Sequence, residues 1–299
     1  MKAEFHGLLV LDKPTGITSR DVVNRVQSWF PRRTKIGHTG TLDPLATGVL
    51  VVCIGQATRL AEYVQDLDKT YRTTLIFGAR SDTDDADGTM TPVEDVVAIP
   101  ESVIRESLKE FTGVIEQAPP AYSAVKIDGK RAHDLARKGH EVAPEARPVR
   151  IDRIDLQRYS WPELDLEIHC GKGTYIRSLA RDLGERLHVG AYVKHLRRSR
   201  VGPFLADQGI SMDWDTTTAR ARMLPVAAAI PHFPSLCLEE DQVRRLRLGQ
   251  FIPMPVEPND LPHALFDESG ALVGIGRIDA KRLLRPDKTF TLNSHFPST

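Results

Sequence analysis

Gly37-His38-Thr39-Gly40-Thr41-Leu42-Asp43-Pro44-Leu45-Ala46-Thr47-Gly48 is the stretch on which the reading of this chain turns. It carries three glycines, three threonines, one histidine and one aspartate, with a proline directly after the aspartate. The apolar run Val49 to Ile54 follows at once and reads as a buried strand. Glycine lets a ligand approach the backbone closely, and Pro44 biases Asp43 away from helix into an extended or turn conformation. A carboxylate held on such a loop can work as a nucleophile or as an acid/base. The same Asp-Pro pair can also do no more than start a turn. The stretch alone leaves both readings open.

The whole chain narrows the setting. Its 299 residues allow one large domain or two smaller ones, and 41% apolar with 27% charged residues is ordinary globular composition. Cys53, Cys170 and Cys237 are far apart and form no C-x-x-C pair, which points to reduced thiols and not to a disulfide frame or zinc site. Met1 to His6 contains no apolar leader core, and no apolar run is long enough to span a bilayer. The expectation is a cytoplasmic protein with no membrane segment.

Formal net charge is zero, yet the charges are segregated. Up to His38, seven basic residues (Lys2, Lys13, Arg20, Arg25, Arg32, Arg33, Lys35) face three acidic ones (Glu4, Asp12, Asp21). Lys194 to Arg200 holds four basic residues and no acid, while acid gathers between Asp82 and Glu110. A neutral chain so divided can present a basic face to phosphates, although charge runs are more often solvated surface.

Outward from the glycine-rich loop, Gly7 to Leu11 reads as a buried strand ending in the turn Asp12 to Gly16. Ser19 is the expected N-cap of a helix with Val22, Val23, Val26 and Phe30 at helical spacing, stopped by Pro31. Gln56 to Gln65 reads as a helix. Lys69 to Gly78 alternates as a strand with Tyr71, Thr73, Leu75 and Phe77 on one side. Ser81 to Gly88 imitates a calcium loop but lacks the bidentate glutamate and flanking helices of an EF-hand, and reads as a plain loop. Pro100 to Phe111 is a helix. Gln117 to His140, with its prolines, glycines and cations, reads as a basic loop followed by a helix. Pro148 to Tyr159 and Glu163 to Cys170 are strands; Thr174 is the expected N-cap of the next helix. That places Arg177 in a first turn, where the helix dipole disfavours a cation and a carboxylate or phosphate partner is called for. Ala191 to Pro203 is a basic strand, and Ala264 to Ile275 a hairpin around a Ser-Gly turn.

GHTGTLDPLATGVL resembles the signature loop of the TruB family of pseudouridine synthases, in which the aspartate is the catalytic nucleophile. Four further segments resemble family motifs in the same order: DKPTGITS, Lys69-Thr70-Tyr71, KGTYIRSL after Cys170, and His195-Leu196-Arg197-Arg198. The resemblance implies Asp43 as nucleophile, Tyr71 stacking on the target base and acting as general base at C5, and Arg177 paired with Asp43. It also implies Tyr175 and Leu196 as walls of the nucleotide pocket and His38 as a prop for the vacated space. Lys13 shapes the active-site loop or meets RNA, and Lys126, Lys130 and Arg131 contact phosphates from an insertion that folds over bound RNA. His133 stands where many relatives carry tyrosine.

The fold implied is α+β: a pseudouridine-synthase catalytic domain on a mixed, mainly antiparallel sheet with flanking helices, plus a small C-terminal PUA-like β-barrel. Residues 1–232 form the first unit, with an RNA-binding thumb loop at about 117–147, and 233–299 the second. The reaction implied is isomerisation of uridine to pseudouridine at position 55 in the T-loop of tRNA. It needs no metal and no cofactor, and the chain acts on the T-arm as a monomer without a protein partner. A zinc base deaminase needs H-x-E with P-C-x-x-C, and a methyltransferase a glycine-rich βαβ turn; neither is in the sequence. A noncatalytic tRNA-binding or folding factor is the alternative, and the intact Asp43, Tyr71 and Arg177 set speaks against it.

Overall fold

A computed structural model describes residues 5–291 apart from Ala124, Asp128, Arg137, Glu141 and Ala143; the side chains of Lys126, Arg131, His133 and Asp260 are likewise outside the described set. Among the described residues a nine-stranded mixed sheet forms the body. Its path runs Gly7–Lys13, Thr47–Ile54, Ala191–Val201, Lys69–Phe77, Glu163–Cys170, Arg147–Ser160 and Gly113–Gln117. All neighbours on this path are antiparallel except Thr47–Ile54 against Ala191–Val201. Alternation decides which face each residue takes. Tyr71, Leu75 and Phe77 point into one core with Leu164, Leu166 and Ile168, under the helices Ser19–Ser28 and Ile176–Arg186. Leu8, Val10, Val49 and Val51 point to the other face and share a second buried cluster with Ala264, Leu272 and Ile275 of the C-terminal sheet and with Phe290 just beyond its last strand. That second sheet has five strands, in the order Ser235–Leu238, Asn259–Asp267, Leu272–Ile278, Leu283–Thr289, Ile252–Pro253. No helix among the described residues is long and apolar enough to cross a membrane.

Several local expectations shift by a residue, each for a visible reason. Thr18, not Ser19, caps the first helix, because Thr18 and Asp21 complete a reciprocal capping box. Ser19 is thereby released to bond Leu42 from both sides, donating to its carbonyl and accepting from its amide. Thr174 likewise does not cap; its hydroxyl turns back to the Gly171 carbonyl, and the helix begins at Ile176 after Tyr175. The strand from Gly7 runs on to Lys13, so Lys13 is the buried end of a strand and not a turn residue. Gln56 to Gln65 divides into a 3-10 turn, Gly55–Leu60, and a short helix, Ala61–Asp66.

Candidate active site

The glycine-rich loop leaves the short strand Ile36–His38, turns at Asp43 and re-enters the sheet at Thr47. Its turn is pinned from the segment after the first strand. Lys13 Nζ donates to the carbonyls of Pro14 (2.9 Å) and Pro44 (3.2 Å), Gly16 N to Pro44 O (2.9 Å), and Thr15 Oγ1 to Leu45 O (3.1 Å). Lys13 is fully buried, so it shapes the loop and offers RNA no surface, which corrects the second half of that expectation. Burial also lowers its pKa to about 8, with Asp43 pulling the other way. Gly48, at φ 103°, lets the Arg198 backbone pass: a Cβ there would lie 2.2 Å from Arg198 O.

Asp43 lies on the floor of a cleft of about 1060 Å³. Arg177, 4% exposed, meets it on two points: Nη2 donates to Oδ1 at 3.0 Å, and Nε lies 2.9 Å from Oδ2 without the alignment of a hydrogen bond. The first-turn cation therefore found its carboxylate. Asp43's side chain is 32% exposed, but to the cleft and not to open solvent. Burial raises its pKa, Arg177 pulls it back, Asp85 raises it and Lys13 lowers it.

Tyr71 and Leu196 reach the cleft from adjacent antiparallel strands, 9% and 7% exposed. Burial raises the Tyr71 pKa, and the Arg198 guanidinium beside it opposes that rise. His38 also lines the cleft; its Nδ1 is buried with no hydrogen-bond partner among the described residues, and burial together with Arg20 and Arg198 lowers its pKa. Tyr175 forms part of the rim, its backbone bonded both ways to the Gln117 amide and its ring 5.6 Å from the Arg147 guanidinium. The structure thus brings together Asp43, Tyr71, Arg177, Leu196, His38 and Tyr175 around one cleft. Lys130 is exposed on the hairpin Lys126–Ile127/Lys130–Arg131 and does not line the cleft. Lys126 and Arg131 share that hairpin, but their side chains lie outside the described residues.

Two buried residues of the site were not singled out from the sequence. Arg198, 4% exposed, donates to Val49 O (2.8 Å) and Gly40 O (3.1 Å) and stands opposite Tyr71 in the register. Asp85, also 4% exposed, accepts from Thr83 Oγ1 (2.6 Å) and lies 3.5 Å from Arg177 Nη1. Its segment is a loop as expected, but one that supplies a second carboxylate to the same guanidinium. Arg177's need for anionic partners was the available signal. Away from the cleft, Asp155, Glu167 and His169 form the group with metal-ligand spacing found among the described residues. Arg153 and Arg72 already pair with its two carboxylates.

The arrangement of a large mixed sheet with a smaller C-terminal sheet is shared with chains of solved assemblies. A chain of the "H/ACA RNP bound to a substrate RNA containing 2'-deoxyuridine" superposes with TM-score 0.73 at 23% identity, over 97% of this chain and 87% of that one. A chain of a "Cbf5-Nop10-Gar1 Complex" gives 0.71 at 25%, over 95% and 85%. Sequence comparison is more specific. Residues 28–176 match the TruB family pseudouridylate synthase N-terminal domain, 177–219 the tRNA pseudouridylate synthase B C-terminal domain, and 234–289 the pseudouridine synthase II TruB C-terminal domain. The tRNA pseudouridine synthase B of Mannheimia succiniciproducens is 38% identical over 97% of each chain. That of Syntrophobacter fumaroxidans is 47% identical over 83% of this chain and 82% of its own. The chain belongs to the TruB family of pseudouridylate synthases.

Proposed function

We propose that the protein isomerises uridine to pseudouridine at position 55 in the T-loop of tRNA, with Asp43 as the attacking group. The observation that carries this reading is the Asp43–Arg177 pair at the base of a cleft walled by Tyr71 and Leu196. A T-loop uridine must leave its stack to reach a carboxylate so placed, at a cost of a few kcal/mol. Tyr71 and Leu196 then hold the ring between them, and His38 props the space it leaves. The N1–C1′ bond breaks, the uracil turns within the cleft and the C5–C1′ bond forms. C5 then loses its proton and N1 gains one, the Tyr71 hydroxyl passing its own proton on as it receives that of C5, so atoms balance without a co-reactant. Asp43 must be ionised to attack, and Arg177 opposes the burial that would protonate it. Arg177 also holds the carboxylate's rotamer on two points.

Residues 1–232 are read as the catalytic domain and 233–299 as an RNA-binding module. Lys126, Lys130 and Arg131 are read as phosphate contacts of a thumb loop at about 117–147, as their place on one short hairpin supports. The protein works on the T-arm as a cytoplasmic monomer in this reading. The test is tritium release from a tRNA transcript made with C5-tritiated uridine. One equivalent per tRNA is expected, and none from a transcript carrying cytidine at position 55; equal release from both would overturn the assignment of site.

A further inference from the structure

The helix Ile176–Arg186 carries two arginines one turn apart, Arg177 and Arg181, and each meets one of two consecutive aspartates. Arg177 Nη1 lies 3.5 Å from Asp85 Oδ2, and Arg181 Nη1 lies 3.1 Å from Asp84 Oδ2. Both arginines also hold the root of the basic loop. Arg181 Nη2 donates to Ala118 O at 2.9 Å, joined there by Ser178 Oγ at 2.8 Å, and Arg177 Nη2 donates to Tyr122 O at 2.9 Å. Asp84 has little freedom to move away. It sits at φ 61°, with its amide bonded to Ser81 O and its carbonyl accepting from Val193 N.

The cluster therefore sets two guanidiniums against the carboxyl groups of Asp43, Asp84, Asp85 and Asp182. Arg177 is in demand from three sides, because Asp84 feels it as well as Asp43 and Asp85. We propose that Arg181 is a positioning residue of the active site: by pairing with Asp84 and holding Ala118, it leaves Arg177 to Asp43. Burial raises the Asp84 pKa to about 6, and Arg181 is the largest influence holding it down. Near neutral pH the paired Asp84 is ionised, and once Arg181 is removed it keeps that charge only by drawing on Arg177. Lys13 also acts on Asp43, and Asp182 occupies Arg181 Nε. This inference rests on the reading of Asp43 as the attacking group.

The test compares single-turnover tritium release and tRNA affinity across full-length variants. Arg181→Met is expected to slow release about tenfold with affinity within about threefold, the size typical of residues sharing a partner. Removing the competing charge as well, in Arg181→Met/Asp84→Asn, is expected to restore the rate to within about threefold of wild type. A residue that merely braces the fold would give no such rescue, so a double variant as slow as Arg181→Met or slower overturns the proposal. Arg181→Lys keeps the charge and is expected within about threefold of wild type; a tenfold loss there overturns it even if Arg181→Met fails to fold. Asp43→Asn is run alongside. Retained release in Asp43→Asn removes the underlying reading, whereas an inactive Asp43→Asn with additive Arg181 and Asp84 effects removes this inference alone.

Discussion

Arg177→Lys keeps the positive charge on the cleft floor and removes its planar fork. The guanidinium serves five partners: the two carboxylate oxygens of Asp43, the carbonyls of Thr83 and Tyr122 at 2.9 Å each, and Asp85 Oδ2 at 3.5 Å. An ammonium has three donors on one atom, so at least two of these partners are given up. Each buried acceptor left unmet costs about 1–3 kcal/mol, and most of that falls on stability. The part that reaches the reaction is the loss of the two-point contact on Asp43, about 2–3 kcal/mol for a charge-assisted pair. That corresponds to turnover slower by about 30- to 150-fold. The assay is single-turnover tritium release with enzyme in excess over tRNA transcript, run with a binding measurement and a thermal melt. The melt should shift down and affinity should hold. A folded Arg177→Lys enzyme within threefold of the wild-type rate would refute the claim that geometry, and not charge alone, prepares the carboxylate.

Because burial raises the Asp43 pKa and the ionised form attacks, the single-turnover rate should rise with pH along a limb lying above the ordinary carboxylate value of 3.8 and then level; a rate flat down to that value would contradict it. Asp84, raised to about 6, favours the fold when protonated, so wild type should lose stability relative to Asp84→Asn as pH rises from 4 through 6. Melts at pH 4 and 7 give the sign, and a constant difference would refute it. Gly48→Ala should cost about 3 kcal/mol or more, since its Cβ would lie 2.2 Å from the Arg198 carbonyl and the backbone is at φ 103°; an unchanged melting temperature would show that the strand yields. Neutralising Lys130 and Arg131 together should weaken tRNA binding and reduce its log–log salt slope by roughly 0.7–0.9 per lost phosphate contact; an unchanged slope would exclude both.

Much of this architecture was legible because its signals are local. Alternation from Lys69 to Phe77 and from Glu163 to Cys170 fixes which side chains face the core, and the strands appear where the pattern puts them. Arg177 in a helix's first turn announced a missing anion, and Asp43 proved to be it, although 134 residues apart in the chain. What was not legible depends on pairings between distant segments. Whether Thr18 or Ser19 caps its helix is decided by Ser19's engagement with Leu42, which no local pattern reveals. Arg198 reads as one more surface cation in a basic strand. Only the register against Tyr71, and the carbonyls of Val49 and Gly40, bury it beneath the cleft. Asp85 was hidden in an acidic loop that resembles solvated surface until Arg177 and Thr83 enclose it. Lys13 shows the converse, a lysine near a turn whose aliphatic stem and ammonium are both consumed by the fold.

The most direct measurement follows tritium from C5-labelled tRNA under single-turnover conditions, with wild type and Asp43→Asn side by side and tRNA binding measured for both. Asparagine fills nearly the same volume and still accepts from Arg177, so the fold and the affinity should survive, the latter within about threefold. Wild type should release one equivalent per tRNA and Asp43→Asn none. Release by Asp43→Asn at a rate near wild type would show that the carboxylate at the floor of the cleft is not the group that attacks.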